Sequence, residues 1–259
     1  MKLTAKTKVI LGMKREFVKT ENSKRLRANV ALQQNRGSQE SGWIVVYGRP
    51  GEGKTRTLHN WASENGALMV TAQVDWTVRR MMLEFADKLG IEPTTGFERR
   101  IEDVIAAEEI PIILDEAGFA LQRSAACLER LRGITDKTCT LVVIVMMEQD
   151  VPRLARRTQI SSRARLCEFQ KSTLADVAAA CAQLSEVEIA PALVQRIFKD
   201  TDARMRLVLS AIHVIEAVAH KLGKARIEFE DVKSMQLCDD FTRSIRDARK
   251  RRIQTGAQS

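Results

Sequence analysis

Aromatic residues are scarce in this sequence, whose 259 residues include one tyrosine and three tryptophans. A broad platform on which nucleic-acid bases stack needs several aromatic rings, so the shortage argues against one. A metal site built from cysteine and histidine ligands is also disfavoured, because the three histidines do not cluster with any of the five cysteines and no CxxC pair occurs. An odd number of cysteines, several of them inside apolar runs, predicts buried free thiols in a reducing cytosol.

Long apolar segments are missing as well. The longest apolar run, from Leu141 to Met147, is far too short to cross a bilayer. The N-terminal residues include lysines but no continuous apolar core, so they do not predict a secretory signal. We therefore expect no membrane partner and a cytoplasmic location, in a bacterial cell or in a phage-infected host.

Positive charge predominates, and the formal net charge is +9. It is concentrated in one cluster near each end of the chain, within residues 2–27 and 243–252. Such clusters attract polyanions, most often nucleic acid or an acidic partner, although they also occur as solvated faces and frayed termini. The charge thus favours a nucleic-acid partner. Candidates for DNA contacts on or beside the core helices are Arg79, Arg80, Lys88, Arg99, Arg100 and Arg123.

One segment carries a specific signature of phosphate binding. It matches the pattern G-x-x-x-x-G-K-[ST] without a mismatch, follows the apolar run WIVVY and precedes a predicted helix. Its residues, with the next residue of that helix, are Gly48, Arg49, Pro50, Gly51, Glu52, Gly53, Lys54, Thr55 and Arg56. The glycines let backbone N–H groups surround the phosphates of ATP, and the helix directs its positive end at the same anion. In this pattern Lys54 contacts the β- and γ-phosphates, and the Thr55 hydroxyl binds Mg²⁺.

A pair of carboxylates supplies the second signal. The run IPIIL is a predicted buried strand that leads into Asp115 and Glu116, and ligands of open α/β sheets bind at the carboxyl ends of the strands. Asp115 is predicted to hold Mg²⁺ through water, and Glu116 to polarise the attacking water as a general base. The alternative is that the pair only caps the next helix. With the phosphate-binding loop, the pair predicts ATP and Mg²⁺ as ligands and ATP hydrolysis as the activity.

Short apolar runs alternate with helical patterns in the first two thirds of the chain. Strands that are apolar on both faces are typical of a parallel sheet covered by helices, which is the α/β class. Five strands are predicted at 43–47, 68–72, 110–114, 140–147 and 163–169. Helices are predicted between them at 56–64, 78–89, 97–107 and 120–131, the last ended by Gly133. Beyond Thr173 only helical patterns are predicted, at 174–184, 191–199, 204–222 and 229–245.

The patterns predict four parts. A basic N-terminal segment (1–36), helical from Thr7 through Gln34, is followed by a P-loop ATPase α/β core (37–170). A helical lid (171–240) and a basic C-terminal tail (241–259) complete the chain. The tail has too few large apolar residues to anchor a helix, so we expect it to contact DNA or a protein partner and to lie outside the fold.

Taken together, GRPGEGKT, IPIILDEA, the apolar fourth strand, an arginine-rich helix and the lid resemble the AAA+ ATPases. The segment LVVIVMMEQDVPRLARRTQISSRARLCEFQKSTLADV resembles, more narrowly, the transposition-regulator branch. That branch contains the B protein of phage Mu, TnsC- and TniB-type proteins and their IstB relatives. The resemblance covers about residues 40 to 220. It implies a P-loop AAA+ core with a parallel five-stranded sheet flanked by helices, plus a small C-terminal helical lid.

The resemblance also implies roles for single residues. Arg163, with Arg165 as a substitute, stands where the family has an arginine finger that reaches the γ-phosphate bound by a neighbouring subunit. Arg204 stands at the sensor 2 position, where it would contact the γ-phosphate from the lid. Sensor 1 falls on Glu148 or Gln149, because the family's usual pattern after the fourth strand is altered here. Ordinary surface or helix-start arginines remain the alternative for Arg163 and Arg204.

The function that the resemblance implies is an ATP-dependent DNA-binding ATPase without sequence specificity. It would oligomerise as a ring or helical filament on duplex DNA and deliver that DNA to a transposase, or activate the transposase. Slow, regulatory ATP hydrolysis would drive disassembly. A helicase-loader-like ATPase acting in DNA replication, an ATPase signalling switch and a small-molecule kinase are the alternatives. The carboxylate pair favours water over a metabolite as the phosphoryl acceptor, which disfavours the kinase.

Overall fold

The computed structural model describes residues 13–38, 41–122 and 125–240, and the chain divides into two compact units. One unit comprises Glu21–Gln170. The other is formed by the described residues on either side, 13–20 and 171–240. The predictions made for residues 1–12, for Arg123 and for the basic tail beyond residue 240 lie outside the described residues.

A five-stranded sheet forms the centre of the first unit, and all of its paired strands are parallel. Its strands are β1 (Trp43–Gly48), β2 (Leu68–Thr71), β3 (Ile112–Asp115), β4 (Val142–Met147) and β5 (Ala164–Glu168). The strand order is β2-β3-β4-β1-β5. The predicted α/β class and the five-stranded parallel sheet are therefore confirmed, and the carboxyl ends of the strands meet at one edge.

Helices connect these strands and cover both faces of the sheet. They are α1 (Glu21–Gln34), α2 (Lys54–Asn65), α3 (Val78–Lys88), α4 (Phe97–Ala107), α5 (Ala126–Thr138), α6 (Val151–Ala155) and α7 (Thr158–Ser161). A short 3-10 helix, Glu148–Asp150, joins β4 to α6. Strand β1 shows why both faces need a cover. Its Trp43 and Val45 are fully buried with residues of α3, α4 and α5, whereas Ile44 and Val46 are fully buried with residues of α1 and α2.

Helix α1 belongs to the sheet unit, although the sequence grouped its residues with the basic N-terminal segment. It begins at Glu21. The sequence predicted a helix from Thr7 onwards, but residues 13–20 are not helical. The helix places Leu26 and Val30 in the apolar cluster of the sheet, with exposures of 0% and 4%. Part of the N-terminal charge is therefore carried by a helix that packs on the core.

Two predicted helices differ from the structure. Helix α5 spans Ala126–Thr138 instead of 120–131, and it continues through Gly133. An interior glycine costs a helix only about 1 kcal/mol, and the next residue, Ile134, is fully buried in the core. The helix predicted at 229–245 is wrong over its described part, which contains only the 3-10 turn Glu230–Val232. The buried residues Val232 and Leu237 are five positions apart, a spacing that does not form one helical face.

The second unit is mainly helical. Its elements are α8 (Leu174–Leu184), β6 (Glu188–Ile189), α9 (Pro191–Asp200), α10 (Met205–Leu222) and β7 (Arg226–Ile227). Helix α8 begins with a capping box, in which Thr173 and Asp176 satisfy each other's backbone N–H groups. The two short parallel strands, β6 and β7, were not predicted. In the part of the chain with described coordinates, no helix is long and apolar enough to span a membrane.

The fold makes the stability of the sheet depend on its central strand. We expect Ile144→Ala in β4 to lower the free energy of unfolding by about 2–5 kcal/mol, because Ile144 is fully buried and the change leaves a cavity. Denaturant titration followed by tryptophan fluorescence measures this, since all three tryptophans lie in this unit. Leu166→Ala on the edge strand β5 is the control, because that side chain is 55% exposed. Equal losses for both variants would contradict the assignment of the core.

Candidate nucleotide-binding site

The phosphate-binding loop joins β1 to α2. Strand β1 ends at Gly48, and α2 begins at Lys54 directly after Gly53. Gly53 has a left-handed backbone with φ of 83°, and nothing lies within 4 Å of the position that a Cβ would take there. This conformation suits glycine and turns the chain sharply into the helix. The first N–H groups of α2 therefore face the mouth of the loop, where an anion is favoured.

Gly48 is required for a different reason, which is space. A Cβ at this position would lie 2.4 Å from Oε2 of Glu52 and 2.7 Å from the carbonyl oxygen of Phe169. Both distances are well below van der Waals contact. The loop can therefore fold back against the end of β5 only because residue 48 has no side chain.

Lys54 is held inside the loop. Its ammonium donates hydrogen bonds to the carbonyl oxygens of Gly48 at 2.8 Å and Arg49 at 2.9 Å, and the residue is 8% exposed. A buried ammonium is stable only when its donors are satisfied. Phosphate oxygens would offer the same donors a charged acceptor, which forms a stronger hydrogen bond than a neutral carbonyl. The donor set and the glycine turns thus fit the phosphates of ATP.

Glu52 is buried beneath the loop, at 6% exposure. Its Oε2 accepts a hydrogen bond from the backbone N–H of Arg49 at 2.7 Å. Burial raises the pKa of this carboxyl, while the Arg49 hydrogen bond and the charge of Lys54 act in the opposite direction. The sequence placed Glu52 among the residues that contact the nucleotide. In this structure its carboxylate bonds within the loop, to the backbone of Arg49, and so supports the loop from below; its contact with a nucleotide stays a prediction.

The predicted magnesium and water residues follow β3 as expected. Asp115 is 3% exposed, and its Oδ1 accepts the backbone N–H of Glu116 at 2.8 Å. Glu116 has a left-handed backbone with φ of 52°, a conformation that costs a non-glycine residue about 1 kcal/mol or more and is common at functional sites. Other non-glycine residues such as Asp75 and Cys139 share it. It therefore supports a role for Glu116 only in combination with the motif.

The sheet places these motifs at one edge. Strand β4 lies between β1 and β3, with Met147 opposite Gly48 and Ile144 opposite Leu114. Because neighbouring strands are about 4.8 Å apart, β1 and β3 lie about 10 Å from each other across β4. The carboxyl ends that carry the phosphate-binding loop and the Asp115–Glu116 pair thus face a common region, where a bound nucleotide and a metal ion fit. Thr55, at the exposed start of α2, and Asp115 are the candidate Mg²⁺ ligands there.

The sensor 1 candidates begin the 3-10 helix at the same edge. Oε2 of Glu148 lies 3.5 Å from Nε of Arg49, so Glu148 forms an ion pair with the phosphate-binding loop. Both side chains are more than half exposed, and such a pair contributes little to stability. Of the two residues that the sequence left open, Glu148 is the one with this contact. Its role as a sensor stays a prediction.

Arg163 lies at the other end of the sheet. It directly precedes β5, whose residue Ala164 is opposite Trp43 at the start of β1. Its guanidinium donates to Oδ1 of Asp136 at 2.5 Å and to the carbonyl oxygen of Gln159 at 3.0 Å. Arg165, the substitute, is exposed. Within one chain the structure therefore does not bring Arg163 to the phosphate-binding loop.

Arg204 belongs to the second unit, where it is the N-cap residue of α10. Its guanidinium forms an ion pair with Asp240. The preceding residues Asp202 and Ala203 have positive φ angles of 51° and 55°, so the chain makes a tight turn into the helix. A contact with the γ-phosphate remains a prediction from the resemblance.

Sequence reasoning missed one residue that touches the loop. The side-chain amide of Asn22, in the first turn of α1, donates to the carbonyl oxygen of Glu52 at 3.3 Å. Asn22 is 5% exposed. A buried polar residue in a stretch that reads as basic and helical belongs to no motif, so only the folded chain identifies it.

The strand order, the glycine turn and the Asp115–Glu116 pair define a P-loop nucleotide-binding protein of the α/β class. Comparison with protein families makes this more specific, because residues 36–154 match the family model described as "AAA domain". The match contains the phosphate-binding loop, the carboxylate pair and β4. These residues are thus similar to AAA domains, and an AAA domain in general implies an ATPase that binds ATP and Mg²⁺. No curated protein matches the sequence.

Solved structures agree on the fold. The Orc1 protein of Aeropyrum pernix, in complex with DNA, is similar with a TM-score of 0.58 at 21% identity over 84% of this chain and 65% of that chain. A mutant RuvB protein of Thermotoga maritima is similar with a TM-score of 0.60 at 18% identity, over 89% of this chain and 76% of that chain. Domain III of the replication initiation protein DnaA from Thermotoga maritima is similar with a TM-score of 0.56 at 14% identity, over 85% of this chain and 95% of that chain. The chain thus has the α/β AAA+ fold, with C-terminal helices, and spans just under two thirds of the Orc1 chain.

Removing the ammonium of Lys54 tests the phosphate-binding loop. We expect Lys54→Ala to abolish ATP binding, because the variant loses the cation that would contact the phosphates. Among the described residues of the loop, Lys54 is the one buried cation that bonds to the loop's carbonyl oxygens. Titration with a fluorescent ATP analogue measures the affinity, and the melting temperature reports on folding. Lys88→Ala is the control, since Lys88 is an exposed residue of the last turn of α3. Unchanged affinity in a folded Lys54→Ala protein would exclude this loop as the ATP site.

Glu116→Gln separates binding from hydrolysis. The amide cannot accept a proton from water, whereas Asp115 remains available for Mg²⁺, so we expect normal ATP affinity and hydrolysis slowed by about 100-fold or more. Phosphate release under single-turnover conditions measures the rate. Glu109→Gln, which changes an exposed glutamate with the same left-handed backbone, should hydrolyse ATP normally. Wild-type turnover by Glu116→Gln would show that another group activates the water.

Proposed function

We propose that the protein is an ATP-dependent DNA-binding ATPase that oligomerises on duplex DNA without sequence specificity. It delivers that DNA to a transposase or activates the transposase, and ATP hydrolysis drives disassembly. The observation that carries the ATPase part is the common sheet edge of the phosphate-binding loop and the Asp115–Glu116 pair. The transposase part rests on the resemblance of the segment from Leu141 to Val177 to the transposition-regulator branch.

The position of Arg163 supports self-assembly. It stands at the amino end of β5, beside Trp43, whereas the phosphate-binding loop follows Gly48 at the carboxyl end of β1. Six strand residues span about 17 Å, more than an arginine side chain reaches. Arg163 can therefore meet a γ-phosphate only in another copy of the chain. Its ion pair with Asp136, whose side chains are 20% and 34% exposed, must open before the guanidinium can contact a phosphate.

Exposed cations of the sheet unit support the proposal that the protein binds DNA. Arg79 and Lys88 on α3 and Arg99 on α4 are exposed, and no hydrogen bond or ion pair of these side chains occurs within the described residues. Arg80 and Arg100, by contrast, are engaged with neighbouring side chains. Cations without a local partner are available for phosphate contacts, which do not depend on base sequence. The Orc1 protein, whose structure is similar to this chain, was solved in complex with DNA, which is consistent with a DNA partner.

The DNA proposal predicts a steep salt dependence. We expect the affinity for duplex DNA to fall with a slope of about −0.9 per neutralised phosphate in a log–log plot, and to be similar for unrelated duplexes. Replacing Arg79, Lys88 and Arg99 together by alanine should lower the affinity by about ten-fold or more and make the slope shallower. Fluorescence anisotropy between about 50 and 200 mM salt, with an ATP analogue present, measures both quantities.

Arg226→Ala is the control for the loss of an exposed cation that already has local partners, because Arg226 is paired with Glu188 and Glu228. It should leave the affinity for duplex DNA and the slope unchanged. A salt-independent affinity, or strong preference for one sequence, would contradict the proposal. Preference for single strands would favour a helicase-loader-like function instead.

A further inference from the structure

Asn22 uses its whole side-chain amide to connect three segments of the sheet unit. Its Nδ2 donates to the carbonyl oxygens of Glu52 at 3.3 Å and Gln170 at 2.7 Å. Its Oδ1 accepts the backbone N–H of Gln170 at 3.0 Å. The residue is 5% exposed, so these bonds are shielded from water, and losing them would leave buried polar groups without partners.

The connected segments have positions of special importance. Glu52 lies in the phosphate-binding loop. Gln170 is the last residue of the sheet unit, and Asn22 is the second residue of that unit. The chain enters the unit at residue 21 and leaves it after residue 170, so both connections to the second unit begin next to one amide group. Arg25 reinforces this point, since its guanidinium donates to the carbonyl oxygen of Glu168 at 2.8 Å and to Oε1 of Gln170 at 3.0 Å.

The bonds continue from Asn22 into the loop. Glu52, whose carbonyl oxygen Asn22 holds, accepts the backbone N–H of Arg49 with its carboxylate at 2.7 Å. The carbonyl oxygen of Arg49 in turn accepts a hydrogen bond from the ammonium of Lys54 at 2.9 Å. A continuous series of contacts thus joins the residue predicted to hold the phosphates to the two chain connections.

We propose that Asn22 is a positioning residue for nucleotide binding, which holds the phosphate-binding loop through Glu52 and links its state to the connections at residues 21 and 170. The inference rests on the proposed ATP site but not on DNA or a transposase. In this structure Lys54 bonds to the carbonyl oxygens of Gly48 and Arg49, with which phosphate oxygens would compete, so we expect phosphate binding to change the contacts of Arg49. That change reaches Glu52 and then Asn22.

The matched test compares two asparagines of one helix. Asn22→Asp keeps the size and the Oδ1 acceptor but loses both N–H donors, and an acid in the first turn does not weaken a helix. We expect the affinity for a fluorescent ATP analogue to fall about ten-fold, since buried hydrogen bonds to the loop are lost. Asn22→Ala should have an effect of similar size. Asn29→Ala is the control, because within the described part of the chain the Asn29 side chain bonds to Arg25 of its own helix and to Cys167, and not to the phosphate-binding loop.

Melting temperatures separate positioning from stability. A structural role alone would lower the melting temperature of Asn22→Asp and leave the affinity of the folded protein unchanged, which would overturn the proposal. Lys54→Ala distinguishes this failure from a wrong ATP site. If Lys54→Ala also binds the analogue normally, the proposed function fails; if only the Asn22 variants bind normally, the inference about Asn22 fails.

Hydrogen exchange on the wild-type protein provides a second test, which does not depend on a variant that folds. The N–H of Gln170 is bonded to Asn22, so a non-hydrolysable ATP analogue should change the exchange rate of the peptide that contains Gln170 by about three-fold or more. Asn22→Asp should remove this response. An exchange rate that is the same with and without the analogue in the wild-type protein would overturn the link.

Discussion

The parallel pairing of β4 with β1 on one side and β3 on the other is the interaction on which the nucleotide site depends. It places Val45 of β1 and Leu114 of β3 opposite the same residue of β4, Ile144, so the phosphate-binding loop and the Asp115–Glu116 pair both begin at the carboxyl edge of the sheet. A shift of one residue would turn every side chain of a strand to the opposite face. Because β1 is buried on both faces by two separate apolar clusters, that shift would exchange large and small side chains between two packed cores.

The local motifs and the sheet could be predicted from sequence because each is determined by residues close together in the chain. The turn into α2 forms at Gly53 because glycine readily adopts the left-handed backbone that the turn requires. The apolar run before Asp115 forms a strand that is buried by helices on both faces of the sheet. Helix α8 has the predicted bounds because Thr173 and Asp176 form a capping box within one turn. In these cases short-range physics and tertiary packing favour the same structure.

Predictions failed where a distant contact decides the outcome. Gly133 did not end α5, since the burial of Ile134 outweighs the intrinsic cost of one glycine. The contacts of Asn22 with Glu52 and Gln170 span 30 and 148 positions of sequence, which no local pattern encodes. The buried carboxylate of Glu52 is similar. Nothing in the motif distinguishes it from an exposed loop residue, yet its hydrogen bond to Arg49 and its proximity to Gly48 shape the loop from beneath.

The separation of Arg163 from the phosphate-binding loop has a thermodynamic consequence for the proposed assembly. If the γ-phosphate bound by one copy is contacted by Arg163 of another, ATP affinity and subunit affinity are linked, and each must increase the other by the same factor. The ion pair between Arg163 and Asp136 reduces the free energy of this coupling, because the pair must open before the arginine can reach a neighbouring copy. Since both side chains of the pair are mostly shielded from water, its opening has a cost. The attraction of the guanidinium for a γ-phosphate must exceed that cost to hold two copies together, and hydrolysis would remove that attraction.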